Sequence, residues 1–264
     1  MQKLFGLAMA ALIAFVPPAR AHFNMLLPRV PSAKKGEGVD FVYQWGHPFE
    51  HQLFDAPAPE SLFVLLPDGR RTDLLGKLEK ISVAGDGDKS VTAYRLRFVP
   101  EERGDYQFVL RTPPIWMEEE GEFFQDTVKV VLHVQAQKNW AALTGEPFEL
   151  APLSRPYGLQ PGMVFQVRIH RRPSGTESVA PPLTRPVEIE RYNVRPPKEL
   201  PADEQVTRTA FPDGNGVVTA SLMEAGWWCL TAISNGGTRE HDGKARPVLE
   251  RSTFWVFVDD KPAP

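Results

Sequence analysis

Prolines and glycines punctuate this chain from end to end, 26 of one and 20 of the other in 264 residues. Breakers at that density leave no room for a long helix, and no apolar pattern of period 3.6 is sustained anywhere. What lies between them is short and β-rich, over 39–45, 61–66, 92–99, 105–111, 127–135, 164–170, 186–193, 216–222, 227–234 and 252–258. Several runs alternate, as in YRLRF and VFQVRI, so one face of each addresses a core. Turn signals separate them, among them Pro67-Asp68-Gly69 and Pro212-Asp213-Gly214-Asn215-Gly216. The expectation is an all-β protein of sandwiches or barrels built from antiparallel strands.

The strands fall into two blocks. A polar-to-mixed stretch with prolines at 147, 152, 156 and 161 separates them. Two β-sandwich domains are expected, one over 22–138 and one over 146–260, with 139–145 as linker; a single elongated sandwich is the alternative. The second block, with its Asp-Gly-Asn-Gly turn between strands, reads as a compact transthyretin-like or immunoglobulin-like meander. Segments 171–186 and 193–205 read as exposed loops.

The first 21 residues read as a leader rather than as fold. Lys3 is basic, 4–16 is apolar apart from one glycine, Pro17-Pro18 breaks any helix, and small residues stand at Ala19 and Ala21. This is the layout of a cleaved signal peptide, too short for an ordinary membrane span. It implies a secreted, periplasmic protein that does not span the membrane after cleavage. The remaining 243 residues carry 28 basic and 33 acidic side chains, a net charge of −5. That balance speaks against nucleic acid as partner. Cys229 is alone, which excludes an internal disulfide; inside GWWCLTA it reads as a small buried hydrophobe.

Cleavage after Ala21 would make His22 the first residue. Its α-amine, with a pKa of about 7.7–8.0, and its ring, at about 6.5, could then chelate one ion together. WGHPFEHQLFD adds His47, Glu50, His51 and Asp55 just after a strand. Imidazole and carboxylate suit borderline divalent metals. His47 and His51 reach one ion only if the turn curls, because in an extended strand they stand about 13 Å apart. Softer candidates are Met25 and the acidic run 117–126, which otherwise reads as a solvated loop. His133, His170 and His241 read as a strand-face residue, a strand end and a turn. No nucleophile elbow, Walker loop, dinucleotide fingerprint or H-E-x-x-H motif is present, and no enzyme activity is expected.

The Ala-His junction, WGHPFEHQLFD, LLPDGRRTDL and the pattern LQPGMVFQVRI…FPDGNGVVTASLMEAGWWCLTA resemble a bacterial family of secreted proteins. The family is catalogued as a domain of unknown function, and its members are labelled periplasmic components of cobalt or nickel ABC-type (ECF-type) uptake systems. The resemblance spans nearly the whole chain after residue 21. It implies binding of nickel or cobalt for delivery to a membrane transporter, by a protein expected to be a monomer. His22 and His47 are the positions it carries over; His51, Glu50 and Asp55 rest on local chemistry. Two other readings stand beside this one. The first is a copper protein with a histidine brace, a chaperone or an oxidase-like enzyme. The second is a metal-free adhesion or carbohydrate-contact module using Trp45, Trp116, Trp227 and Trp228.

Overall fold

The computed structural model describes residues 22–85, 89–172, 178–179, 183 and 185–260. The leader expected over 1–21 and part of the 171–186 loop lie outside the described residues. The all-β expectation holds. Among the described residues the only helical elements are the turns Leu75–Lys77 and Asp203–Val206.

The largest sheet runs Thr207–Ala210, Val187–Arg191, Gly226–His241, Lys244–Val258, Glu122–Val134, Gly104–Arg111, Ser61–Leu65, Arg71–Asp73 from edge to edge. Its first four strands come from the second sequence block and its last four from the first. They meet where Lys244–Val258 pairs with Glu122–Val134, from Phe123 opposite Val248 to Val130 opposite Trp255. That pairing is parallel, where antiparallel strands were expected. Strands joined by a short hairpin must run antiparallel, but these two are distant in sequence and no tight turn sets their direction.

Two smaller sheets cover this one. The first runs Phe23–Pro28, Val39–His47, Ser90–Phe98, Glu79–Ala84, with Gln52–Phe54 also paired to Val39–His47. The second contains Phe148–Pro152, Met163–Arg171, Ser178–Val179 and Val217–Leu222. Alternation along the seam strand divides its side chains between two cores. Trp255 and Phe257 join the core with Phe41, Tyr43 and Phe108, while Phe254, Val256 and Val258 join the core with Phe165, Val167 and Ile169. The large sheet is thus a wall of both cores, one on each face. This is why TFWVFV is continuously apolar rather than alternating. Cys229 is buried as expected, and Asp213 makes its turn by accepting the Asn215 and Val217 N–H groups. Trp227 and Trp228 are buried, so they offer no contact surface for a carbohydrate.

Charges are buried at the seam. Arg251 is 2 % exposed and Asp126, its register partner, 1 %. The guanidinium stands 3.6 Å from Asp126 and 3.6 Å from Glu188, and its Nη1 donates to the His22 carbonyl. Burial pushes both carboxyls above their ordinary range, and Arg251 opposes that rise. On the other face Lys129 pairs with Glu149, whose carboxylate also accepts the Thr144 N–H and hydroxyl and the Gly145 N–H. Arg251→Met would leave two carboxylates buried without their cation. The expected loss is about 3–5 kcal/mol of unfolding free energy, read by urea denaturation, and adding Asp126→Asn should restore part of it.

Glu190 is another buried acid. It accepts the Phe49 N–H at 3.1 Å and the Thr207 hydroxyl at 2.5 Å. Burial pushes its pKa from 4.5 up to about 8. The folded protein therefore keeps a proton there that the unfolded chain releases. The stability tied to that proton is full below about pH 4.5 and is lost as pH rises through about 8. Glu190→Gln keeps the shape without the charge. Its melting temperature should fall less steeply than that of the wild type between pH 5 and 8.5, and it should be the more stable protein at the upper end.

Candidate functional site

Strand register builds the site. Phe23–Pro28 pairs antiparallel with Val39–His47, Phe23 opposite Gly46 and Asn24 opposite Trp45, so the next pair outward is His22 with His47. Directly opposed residues in such a pair hold their Cβ atoms about 4.5–5.5 Å apart on one face. The ring centroids of His22 and His47 are indeed 4.6 Å apart. Gln52 faces His47 from the third strand of the row.

His47 lies at the outer end of an alternating face. Val39, Phe41 and Tyr43 point into the core, Trp45 follows, and His47 closes the series at 3 % exposure. The chain then reverses over Pro48–His51 and returns as Gln52–Phe54. Gly46 makes the tight return possible: its φ is +152°, and a Cβ there would stand 2.0 Å from the Gln52 carbonyl oxygen. His47 Nδ1 donates to Gln52 Oε1 at 2.9 Å, which places the lone pair of the ring on Nε2.

Aromatic walls enclose the pair. Trp45 stacks on His22 at 5.3 Å, and Phe54 lies 5.4 Å from His22 and 5.3 Å from His47. One carboxylate approaches. Glu120, on the turn between Ile115–Met117 and Glu122–Val134, brings Oε1 to 4.0 Å from His22 Nδ1. The acidic run is the turn and second strand of a hairpin; Glu118, Glu119 and Glu120 at its tip are exposed as expected, and Glu120 also reaches His22. Trp116, in the first strand of that hairpin, stacks on His241 at 4.0 Å.

The other proposed ligands have different neighbours. His51 takes a left-handed conformation, φ +54°. Its Nδ1 donates to the Asn193 carbonyl at 2.8 Å and its ring lies 5.7 Å from Tyr192. Burial lowers its pKa, against the pull of that hydrogen bond. The turn does curl, but it sends His47 and His51 to different partners. Glu50 is half-buried on the same turn. Asp55 is exposed and accepts the Thr92 N–H at 2.7 Å, which lowers its pKa. Met25 is wholly buried in the core. His133 donates to buried Asp105 at 2.7 Å and stacks on Tyr157.

The site's supports come from the second block, which holds none of the proposed ligands. Asn193 donates from its main chain to the Pro48 carbonyl at 3.0 Å and from Nδ2 to the Phe49 carbonyl at 2.6 Å. Glu190 holds the Phe49 N–H. Arg251 holds the His22 carbonyl, and Trp255 Nε1 donates to the Asn24 carbonyl at 3.0 Å. None of these partners carries a signal in one sequence, because each lies more than 140 residues from the group it holds.

Among the described residues no group of three or more His, Cys, Asp or Glu side chains forms a ready-made metal cluster. The side-chain donors that come together are two imidazoles, with one carboxylate at their edge. A third nitrogen fits the set if it is the main-chain amine of His22, at the start of the strand that Arg251 holds.

Comparison with known proteins gives a family and no activity. No curated protein matches the chain. Among solved structures, a chain from the complex of Dpr11 IG1 bound to DIP-gamma IG+IG2 is similar at 10 % identity, over 89 % of this chain and 98 % of that one, with a TM-score of 0.21. The I9–I11 tandem of titin is similar at 9 % identity, over 91 % and 66 %, with a TM-score of 0.20. Escherichia coli alpha-2-macroglobulin activated by porcine elastase is similar at 15 % identity, over 91 % of this chain but 20 % of its own, with a TM-score of 0.23. Likenesses this distant carry no functional weight. No helix among the described residues is long and apolar enough to cross a membrane. The model of a domain of unknown function, DUF4198, matches residues 19–236, most of the chain, and the protein belongs to that family.

Proposed function

We propose that this protein, exported and cut before His22, binds one divalent transition-metal ion and serves nickel or cobalt uptake in the periplasm. The observation that carries the reading is the His22–His47 pair, 4.6 Å between ring centroids, with Gln52 fixing the tautomer of His47. His22 would contribute its α-amine and Nδ1, and His47 its Nε2. A bound divalent ion supplies Lewis acidity and positive charge at the end of the sandwich. The chain's own part is to hold the nitrogens and exclude water. Trp45 and Phe54 wall the rings, and Glu120 provides a negative charge at the edge. His51, Glu50 and Asp55 belong to the wider turn, with His51 serving as its tether. The protein is read as a monomeric binding protein rather than an enzyme, with a membrane metal transporter as its partner.

A copper reading has one observation in its favour. Two imidazoles and an amine make a three-nitrogen set, and tetragonal nitrogen sites suit Cu(II) as well as Ni(II). Metal analysis of the exported protein, with its N-terminus sequenced, distinguishes the two. Titration with Ni(II), Co(II) and Cu(II) should show one site per chain. His47→Ala should weaken it by about tenfold or more, and so should one extra alanine placed before His22. Unchanged affinity in both variants would overturn the assignment of the site.

A further inference from the structure

We infer that Asn193 is a positioning residue for the His22–His47 pair, so that the second block sets the geometry of a site whose ligands all lie in the first; this rests on the metal-binding reading above. Asn193 spends every kind of polar group it has at this junction. Its N–H donates to the Pro48 carbonyl at 3.0 Å, and its Nδ2 donates to the Phe49 carbonyl at 2.6 Å. Its own carbonyl accepts the His51 Nδ1–H at 2.8 Å, and its Oδ1 accepts Arg191 Nη1 at 2.9 Å. Arg191 is itself tied to the Ala225 carbonyl and to Glu224.

The Pro48–His51 turn is thereby grasped at both ends. It begins at the residue after His47, and a turn fixed at Pro48 and Phe49 fixes the direction in which His47 leaves its strand. His51 is part of the same grip. Its left-handed backbone, φ +54°, is an uncommon conformation for a residue other than glycine. It is held where the ring reaches Asn193. Groups bonded directly to a ligand typically set metal affinity by about 10–100-fold; Asn193 acts one residue further out, through Pro48 and Phe49, so the lower end of that range is expected. The competing account is that the hairpin fixes itself, through Gly46 and the pairing of Trp45–His47 with Gln52–Phe54.

The test uses the full exported chain and two variants. Asn193→Ala removes both side-chain bonds. Asn193→Asp keeps the acceptor for Arg191 but loses the donor to Phe49, and it serves where the alanine variant folds poorly. Two measurements are made well below the melting temperature. One is titration with Cu(II) and with Ni(II). The other is detection, in metal-free protein with labelled histidines, of cross-peaks between the rings of His22 and His47. The expected result is about a tenfold loss of affinity and weakened ring cross-peaks, with the remaining amide spectrum unchanged. Wild-type affinity and wild-type cross-peaks in both variants overturn the inference. Should the wild type bind neither metal, the metal-binding reading falls, and the cross-peaks alone decide whether Asn193 positions the pair.

Discussion

The structure hangs on one parallel pairing, Glu122–Val134 against Lys244–Val258, and on the arginine buried within it. Burying a guanidinium with carboxylates is a poor source of net stability, because desolvation consumes most of the attraction. It is a good source of register. A slip of one residue along the seam would turn Arg251 to the opposite face of the sheet and move Trp255 out of the core it shares with Tyr43. No turn connects the two strands, so side chains must specify their alignment. Asp126 opposite Arg251 and Val130 opposite Trp255 do so on one face. The same guanidinium reaches the His22 carbonyl. The contact that aligns the seam therefore also anchors the first described residue.

Much of this was legible in the sequence, for identifiable reasons. Period-two patterns such as VDFVYQW announced strands whose alternate residues, Val39, Phe41 and Tyr43, are indeed in the core. The continuous run TFWVFV has the pattern of a strand covered on both faces, a feature that the expectation of two separate sandwiches did not use. The direction of the seam was not legible. Antiparallel hairpins leave a turn in the sequence, whereas a pairing between strands some 120 residues apart leaves only an apolar run at each end.

The site divides in the same way. His22 and His47 were grouped in the sequence by their chemistry and by the family resemblance, whereas the strand Phe23–Pro28 that sets them side by side was not among the runs read there. The fate of His51 could not be read, because it depends on Asn193 and Tyr192 far along the chain. Spacing four residues apart suggested two ligands on one ion. The hairpin instead puts His47 on the row with His22 and Gln52, and puts His51 at the left-handed end of the turn. The acidic run 117–126 was legible only in part. Glu118, Glu119 and Glu120 are exposed, as its composition implies, but Asp126 is buried at the seam.

These placements separate two tasks that the sequence presented as one motif. In GHPFEH, Gly46 permits the close return, His47 faces the partner histidine, and the last histidine fastens the turn to the second block. Trp45 and Phe54 wall the two rings, but the turn that follows His47 has its bonds to the second block. Such restraint works only if the restraining element is itself fixed. The second block meets that condition because it shares a sheet with the first. Asn193 sits two residues beyond Val187–Arg191, a strand paired into the ten-stranded sheet. A freely hinged second domain could not hold Pro48 and Phe49 to within hydrogen-bonding distance. The shared sheet is therefore the feature that lets residues of the second block fix the geometry of histidines in the first.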